Sequence, residues 1–216
     1  LFKIDSAGTL KWIQEYGSGG KDAASSIAID TLGNIYVTGE TDYHIDATVT
    51  QSNGRYDYFL AKHAPDGTRL WLEQYGTTLN EYAVGVALDS QGNIYVAGAT
   101  SGDIDGDGPE YAHSIGYPSD MFLVKFPHNY TPGVNSPVWM RQAGSSENDY
   151  FASGIDFWDV FVHDGMSMTI DASDRIIIAG YTTGDFDGSG PGVPLGGIDT
   201  YITTYDSEGN LLGSRQ

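Results

Sequence analysis

The most constraining feature of this chain is that it repeats itself. The segment Ser26-Ile27-Ala28-Ile29-Asp30, followed by Gly33-Asn34-Ile35-Tyr36-Val37-Thr38-Gly39, returns as Gly85-Val86-Ala87-Leu88-Asp89 and then Gly92-Asn93-Ile94-Tyr95-Val96-Ala97-Gly98. A looser copy reads Ser167-Met168-Thr169-Ile170-Asp171, then Asp174-Arg175-Ile176-Ile177-Ile178-Ala179-Gly180, at a longer interval because insertions precede it. A second motif alternates with the first: Phe2-Lys3-Ile4-Asp5, Phe59-Leu60-Ala61-Lys62, Phe122-Leu123-Val124-Lys125 and Tyr201-Ile202-Thr203-Thr204. The first three of these precede a tryptophan, Trp12, Trp71 and Trp139. A repeat of this kind is one supersecondary unit, which buries its apolar faces only by stacking on its neighbours.

The runs within each unit are short and rich in Ile, Val, Tyr, Phe and Thr, with Asp/Gly/Asn/Ser clusters between them, and this is strand-and-turn chemistry. Asp30-Thr31-Leu32-Gly33-Asn34, Asp89-Ser90-Gln91-Gly92-Asn93, Asp66-Gly67 and Glu208-Gly209 place Gly or Asn where a tight antiparallel turn needs them. The fold class is therefore all-β: a β-propeller built of four-stranded antiparallel blades, here about three and a half blades of a larger ring. With Ser26–Asp30 innermost, residues 1–16 supply the outer half of a blade, and residues 22–75, 81–143 and 149–216 a blade each, the last with an insertion at 156–164. A long β-sandwich is the alternative, while a parallel β-helix conflicts with the hairpin turns. Closed rings have roughly 4 to 8 blades. The expected partners are therefore other blades of a longer chain, or other protein chains that cover the exposed edges.

The pattern Asp-x-x-Gly-Asn-Ile-Tyr-Val-x-Gly, a Gly/Asp-rich loop, Asp-x-Phe-Leu-x-Lys, an Asp-Gly turn, and Leu-Trp before Tyr-Gly-Thr resembles the bacterial SBBP-type β-propeller repeat. The third unit departs from it where Asp174-Arg175 replaces Gly-Asn and Gly213 stands at the tryptophan position. The resemblance implies a secreted or cell-surface bacterial protein with no assigned reaction.

Charge narrows the partners further. Ten basic against 29 acidic side chains leave a formal net charge of −19, so phosphate-rich nucleic acid or an anionic membrane surface is a poor match, and cations are a better one. No apolar run reaches the roughly 20 residues of a membrane span. With no cysteine, disulfides and thiolate metal sites are excluded.

Asp103-Ile104-Asp105-Gly106-Asp107-Gly108 places carboxylates at alternate positions on a tight loop, a spacing that converges oxygens on a hard cation such as Ca²⁺. Asp185 and Asp187 occupy the same loop in the next unit, and Asp120 and Asp199, each at the start of the following strand, are the closing ligands; Asp57 is their counterpart. The loop departs from an EF-hand in lacking the closing Glu and the flanking helices. The competing interpretation is a set of solvated Asp-Gly turns. Asp22, Glu81 and Asp149 recur before each inner strand and read as turn or cap hydrogen bonders. The tryptophans read as packing between blades.

Two insertions break the repeat. Pro127–Pro137 lengthens an outer turn, and the segment around Phe157, Trp158 and Phe161 mixes aromatics with acids, a composition suited to stacking on a sugar ring or docking a partner. Together these features predict a non-catalytic extracellular binding or assembly module stabilised by calcium, with extracellular glycan among its candidate ligands. The alternatives are a polysaccharide-acting hydrolase or lectin and a quinone-dependent oxidoreductase propeller.

Overall fold

The computed structural model describes residues 1–46, 56–106, 120–144, 167–182 and 199–215, and over these residues the chain is strands and turns with no helix. In chain order the strands are β1 (Phe2–Ile4), β2 (Leu10–Ile13), β3 (Asp22–Ile29), β4 (Ile35–Thr41), β5 (Asp57–His63), β6 (Arg69–Tyr75) and β7 (Glu81–Leu88). They continue with β8 (Ile94–Thr100), β9 (Asp120–Phe126), β10 (Trp139–Ala143), β11 (Ser167–Ile170), β12 (Ile176–Thr182), β13 (Asp199–Tyr205) and β14 (Leu211–Arg215). They form a two-stranded sheet, β1-β2, and three four-stranded sheets: β3 to β6, β7 to β10 and β11 to β14. Every neighbouring pair is antiparallel and consecutive in sequence, so each sheet is a meander. These are propeller blades: a half-blade, then blades 1, 2 and 3.

The sheets stack face to face, and one apolar cluster fills each junction. Leu1, Trp12 and Tyr16 of the half-blade pack on Ile35, Val37, Phe59 and Leu72 of blade 1. Tyr36, Tyr58 and Leu60 of blade 1 meet Val86, Val96, Phe122 and Phe126 of blade 2. Tyr95 and Leu123 of blade 2 meet Ile178 and Tyr201 of blade 3. A sheet covered on both sides shows no alternation of buried and exposed residues, and β4 and β8 are buried at every position.

The turns follow from the Asp-x-x-Gly-Asn signature. In β3–β4, Asp30 accepts from the Leu32 and Asn34 amides through Oδ1 and from the Asn34 side chain through Oδ2; Asp89 does the same with Gln91 and Asn93. Gly33 and Gly92 have φ of 83° and 81°, a conformation that a Cβ disfavours. Blade 3 breaks this rule and compensates. Asp174 sits at φ 56°, and its carboxylate accepts from the Ser90 amide at 2.8 Å and the Ser90 hydroxyl at 2.6 Å in blade 2. Arg175 replaces the asparagine by donating Nε to Asp171 Oδ2 at 2.7 Å.

The recurring tryptophans join one blade to the next outer turn. Trp12 Nε1 and Lys3 Nζ both donate to the Pro65 carbonyl, at 3.3 and 3.2 Å. Trp139 Nε1 and Lys125 Nζ both donate to the Ser207 carbonyl, at 3.3 and 2.8 Å. At the junction between them the lengthened turn sends in Tyr130 instead. It stands edge-on to Trp71 at 5.5 Å and to Phe126 at 4.9 Å, and its hydroxyl meets that of Tyr75 at 2.5 Å. The first insertion is thus a packing element.

Candidate functional site

The acidic loop of blade 2 begins where β8 ends. The Thr100 hydroxyl accepts from the Gly102 amide at 2.9 Å, and Asp103 Oδ1 accepts from the Gly106 amide at 2.7 Å, with Gly106 at φ 80°. Gln142 on β10 then draws the loop to the sheet. Its Oε1 accepts from the Ile104 amide at 3.0 Å, its own amide donates to Asp105 Oδ2 at 3.0 Å, and its Nε2 donates to Asp120 Oδ2 at 2.7 Å. Asp105 and Asp120, far apart in sequence, are brought together at one end of blade 2 through a single glutamine.

Blade 1 repeats the device without the aspartate-rich loop. Gln74 Oε1 accepts from the Ile45 amide at 3.0 Å and its Nε2 donates to Asp57 Oδ2 at 2.7 Å, while Asp46 pairs with Arg69. The glutamines escaped the reading of the sequence, although the signal was there: Gln follows Trp by three positions in both Trp71–Gln74 and Trp139–Gln142. Asp57 and Asp120 hold the third strand's start in register with the outer strand and the loop.

Of the candidate metal ligands, Asp105 and Asp120 therefore meet at Gln142, and Asp103 precedes Asp105 on the same loop, where it accepts from the Gly106 amide. Asp199 opens β13 with its backbone opposite Thr182. Asp107, Asp185 and Asp187 lie outside the described residues, as do Phe157, Trp158 and Phe161. Among the described residues no three acidic or histidine side chains come together as a metal-holding group.

The acids before the inner strands tie down turns. Asp22 accepts from the Ser18 amide at 2.6 Å, the Ser18 hydroxyl at 3.0 Å and the Thr41 hydroxyl at 2.5 Å. Glu81 accepts from the Thr77 amide and hydroxyl at 2.7 and 2.6 Å and from the Thr100 hydroxyl at 2.9 Å. Burial pushes the Glu81 carboxyl up, against the pull of Thr77 and Thr100, and the charge on Asp57 adds to the rise. Both carboxylates converge on Gly76, where a Cβ would lie 2.2 Å from Asp57 Oδ1 and 2.7 Å from Glu81 Oε2. Asp149 lies outside the described residues.

Among the described residues, two flanks of the stack expose apolar side chains. On the half-blade, Phe2, Ile4 and Ile13 are 63%, 54% and 55% exposed, and beside them a cleft of about 420 Å³ runs between Tyr16 and the inner strand, lined by Asp22, Ala24, Ile27 and Val37. On blade 3, a hollow of about 410 Å³ lies around Gly213 between Arg175, Ile202, Leu212 and Arg215. Gly213 stands opposite Thr204, the place where Trp71 stands opposite Lys62 and Trp139 opposite Lys125.

The repeat is recognisable in other proteins. Residues 11–45 and 70–105 match the β-propeller repeat model SBBP, a unit that runs from the outer strand of one blade through the two inner strands of the next. An uncharacterized WD repeat-containing protein of Acanthamoeba polyphaga mimivirus is 24% identical over 206 residues, covering 84% of this chain and 14% of the relative. The regulatory protein FlaEY of Caulobacter vibrioides is 26% identical over 161 residues, covering 69% of this chain and 16% of that protein. This chain thus spans only a small part of the length of either relative.

Proposed function

From the premise that this chain carries SBBP β-propeller repeats, we propose that it is a non-catalytic binding and assembly module, stabilised by calcium and working in a secreted or cell-surface protein. The observation that carries this reading is where the acidic side chains are spent. Asp22, Asp30, Asp89, Asp171, Asp206 and Glu81 all accept backbone amides and hold turns closed, while broad apolar flanks face outward. Such a scaffold offers surfaces. The two relatives, one named for WD repeats and the other for regulation, agree with a role in binding.

Support for calcium comes from the spacing of Asp103, Asp105 and Asp107, and from the way Gln142 gathers Asp105 and Asp120 at the loop's base. The test is thermal unfolding with and without excess chelator, then with calcium restored. A ligand held at a hundredfold over its Kd adds ~2.7 kcal/mol, which for a domain of this size is a midpoint shift of roughly 5–10 °C. The shift is expected to reverse with calcium and to vanish in Asp105→Asn. An unchanged midpoint removes the calcium, and turnover of a polysaccharide panel that is lost in an Asp→Asn variant overturns the module.

A further inference from the structure

A pair of hydrogen-bond donors recurs along the array, and one copy of it is not spent within the chain. Lysine stands across from tryptophan on the two outer strands three times: Lys3 with Trp12, Lys62 with Trp71 and Lys125 with Trp139. In the half-blade and in blade 2 the two side chains converge on a single oxygen of the next outer turn. Lys3 and Trp12 reach the Pro65 carbonyl at 3.2 and 3.3 Å, and Lys125 and Trp139 reach the Ser207 carbonyl at 2.8 and 3.3 Å. Pro65 and Ser207 each lie two residues beyond the end of a third strand, His63 and Tyr205. The same count beyond Phe126 arrives at His128, yet among the described residues neither Lys62 Nζ nor Trp71 Nε1 makes a hydrogen bond or an ion pair; their contacts are with aromatic rings.

One residue of the turn explains the difference. Gly67 and Gly209, four residues beyond the strand end, press against the tryptophan of the blade before: a Cβ would lie 2.6 Å from the Trp12 ring at Gly67 and 3.1 Å from the Trp139 ring at Gly209. The equivalent residue of blade 2 is Tyr130. A residue with a side chain cannot come so close, and the Tyr130 ring stands edge-on to Trp71 at 5.5 Å with its hydroxyl against that of Tyr75. The turn backbone is thereby held off the donors. The donors themselves are set as they are in blade 2. Lys62 Nζ lies 5.0 Å from the centre of the Tyr36 ring, and Lys125 Nζ lies 5.2 Å from that of Tyr95. Trp71 meets Tyr36 at 6.4 Å and 64°, and Trp139 meets Tyr95 at 5.9 Å and 61°.

We propose that Lys62 and Trp71 form a binding site for a carboxylate group at the seam between blades 1 and 2. One carboxylate oxygen takes the role that the Pro65 and Ser207 carbonyls play at the other seams, accepting from the Lys62 ammonium and the Trp71 indole N–H. Those carbonyls are delivered by the chain itself, whereas a ligand from outside has to supply its own attraction. A carboxylate does so, because its hydrogen bond to an ammonium is charge-assisted. Both side chains are partly exposed, so a ligand in solution reaches them. The group is carried by a small acid or by an acidic side chain of a polypeptide, and the donors read the chemistry common to both. Neither Lys62 nor Trp71 is a candidate calcium ligand, so the proposal goes beyond the module reading and does not depend on the metal.

The test follows the indole N–H signals of Trp12, Trp71 and Trp139 by NMR in the full chain, assigned through single Trp→Phe variants. Acetate and the peptide acetyl-Gly-Asp-Gly-amide are the probes, with acetamide and sodium chloride as controls. The Trp71 signal is expected to move saturably at roughly millimolar probe, while those of Trp12 and Trp139, already bonded to carbonyls, stay in place. Tighter binding of the peptide marks a polypeptide as the source of the carboxylate, and equal binding marks a small acid. Lys62→Met should weaken either probe at least about tenfold; Lys125→Met, which removes a lysine already held by Ser207, should leave both unchanged. An unmoved Trp71 signal, equal movement of all three signals, an equal response to acetamide or chloride, or undiminished binding in Lys62→Met would each overturn the proposal. The chelation and turnover measurements decide the module reading separately, so a negative titration removes the carboxylate site and leaves the scaffold.

Discussion

The junction between the half-blade and blade 1 and the junction between blades 1 and 2 use the same positions for different chemistry. At the second, Tyr75 lies 5.5 Å from Phe126, and Tyr130 completes an aromatic cluster. At the first, the equivalent Tyr16 stacks on His63 at 5.6 Å and 21°, and the Arg69 guanidinium lies 5.8 Å from the same tyrosine ring. His63 is fully buried, and neither ring nitrogen has a hydrogen-bond partner. One seam is thus aromatic, its Tyr75 and Tyr130 hydroxyls paired with each other, while the other keeps an ionisable ring neutral by burial. The comparison teaches that blades share a shape and can differ in their response to acid.

The largest test removes the apolar centre. Phe122 is fully buried and 5.0 Å from Tyr58, so Phe122→Ala should cost about 3–5 kcal/mol in urea unfolding. Phe59, at the same repeat position, lies beside the half-filled junction and meets Tyr16 at 5.9 Å; Phe59→Ala should cost less, and equal losses would break the comparison. The second test is acid. Burial, with the Arg69 charge adding to it, holds the His63 imidazole down to about 4, whereas an unfolded histidine titrates near ~6.5. Between those values the unfolded chain binds a proton that the folded chain refuses, so stability falls as pH drops through this window, by at most ~3 kcal/mol. His63→Phe, which copies Phe126, should gain stability relative to the parent as pH falls from neutral toward 4; a difference that stays constant with pH would show that His63 does not titrate this way. The smallest effect is polar. Tyr75→Phe takes away the partner of the Tyr130 hydroxyl and should lower stability by about 1 kcal/mol, with little change in its pH profile.

Much of this architecture was legible in the sequence, because hairpin turns and strand composition are local. Asp30, Gly33 and Asn34 meet one another within a single turn, and reading the motif is nearly reading the structure. The site was less legible. Gln142 acts on Ile104, Asp105 and Asp120 across a register that only the folded sheet defines. His63 carries no local sequence signal of its own, since its burial depends on Tyr16 arriving from another sheet. The role of Tyr130 in the lengthened turn was hidden for the same reason: its partners Trp71 and Tyr75 belong to the previous blade.

Asp174 carries a consequence for how such arrays diversify. A residue that departs from the consensus glycine is tolerated there because Ser90, one blade away, answers it with two hydrogen bonds. Gly92, at the matching place in blade 2, has no side chain with which to make such a bridge to blade 1. Blades 2 and 3 are thus addressed to their slots, so exchanging their order would erase a contact that no single module contains.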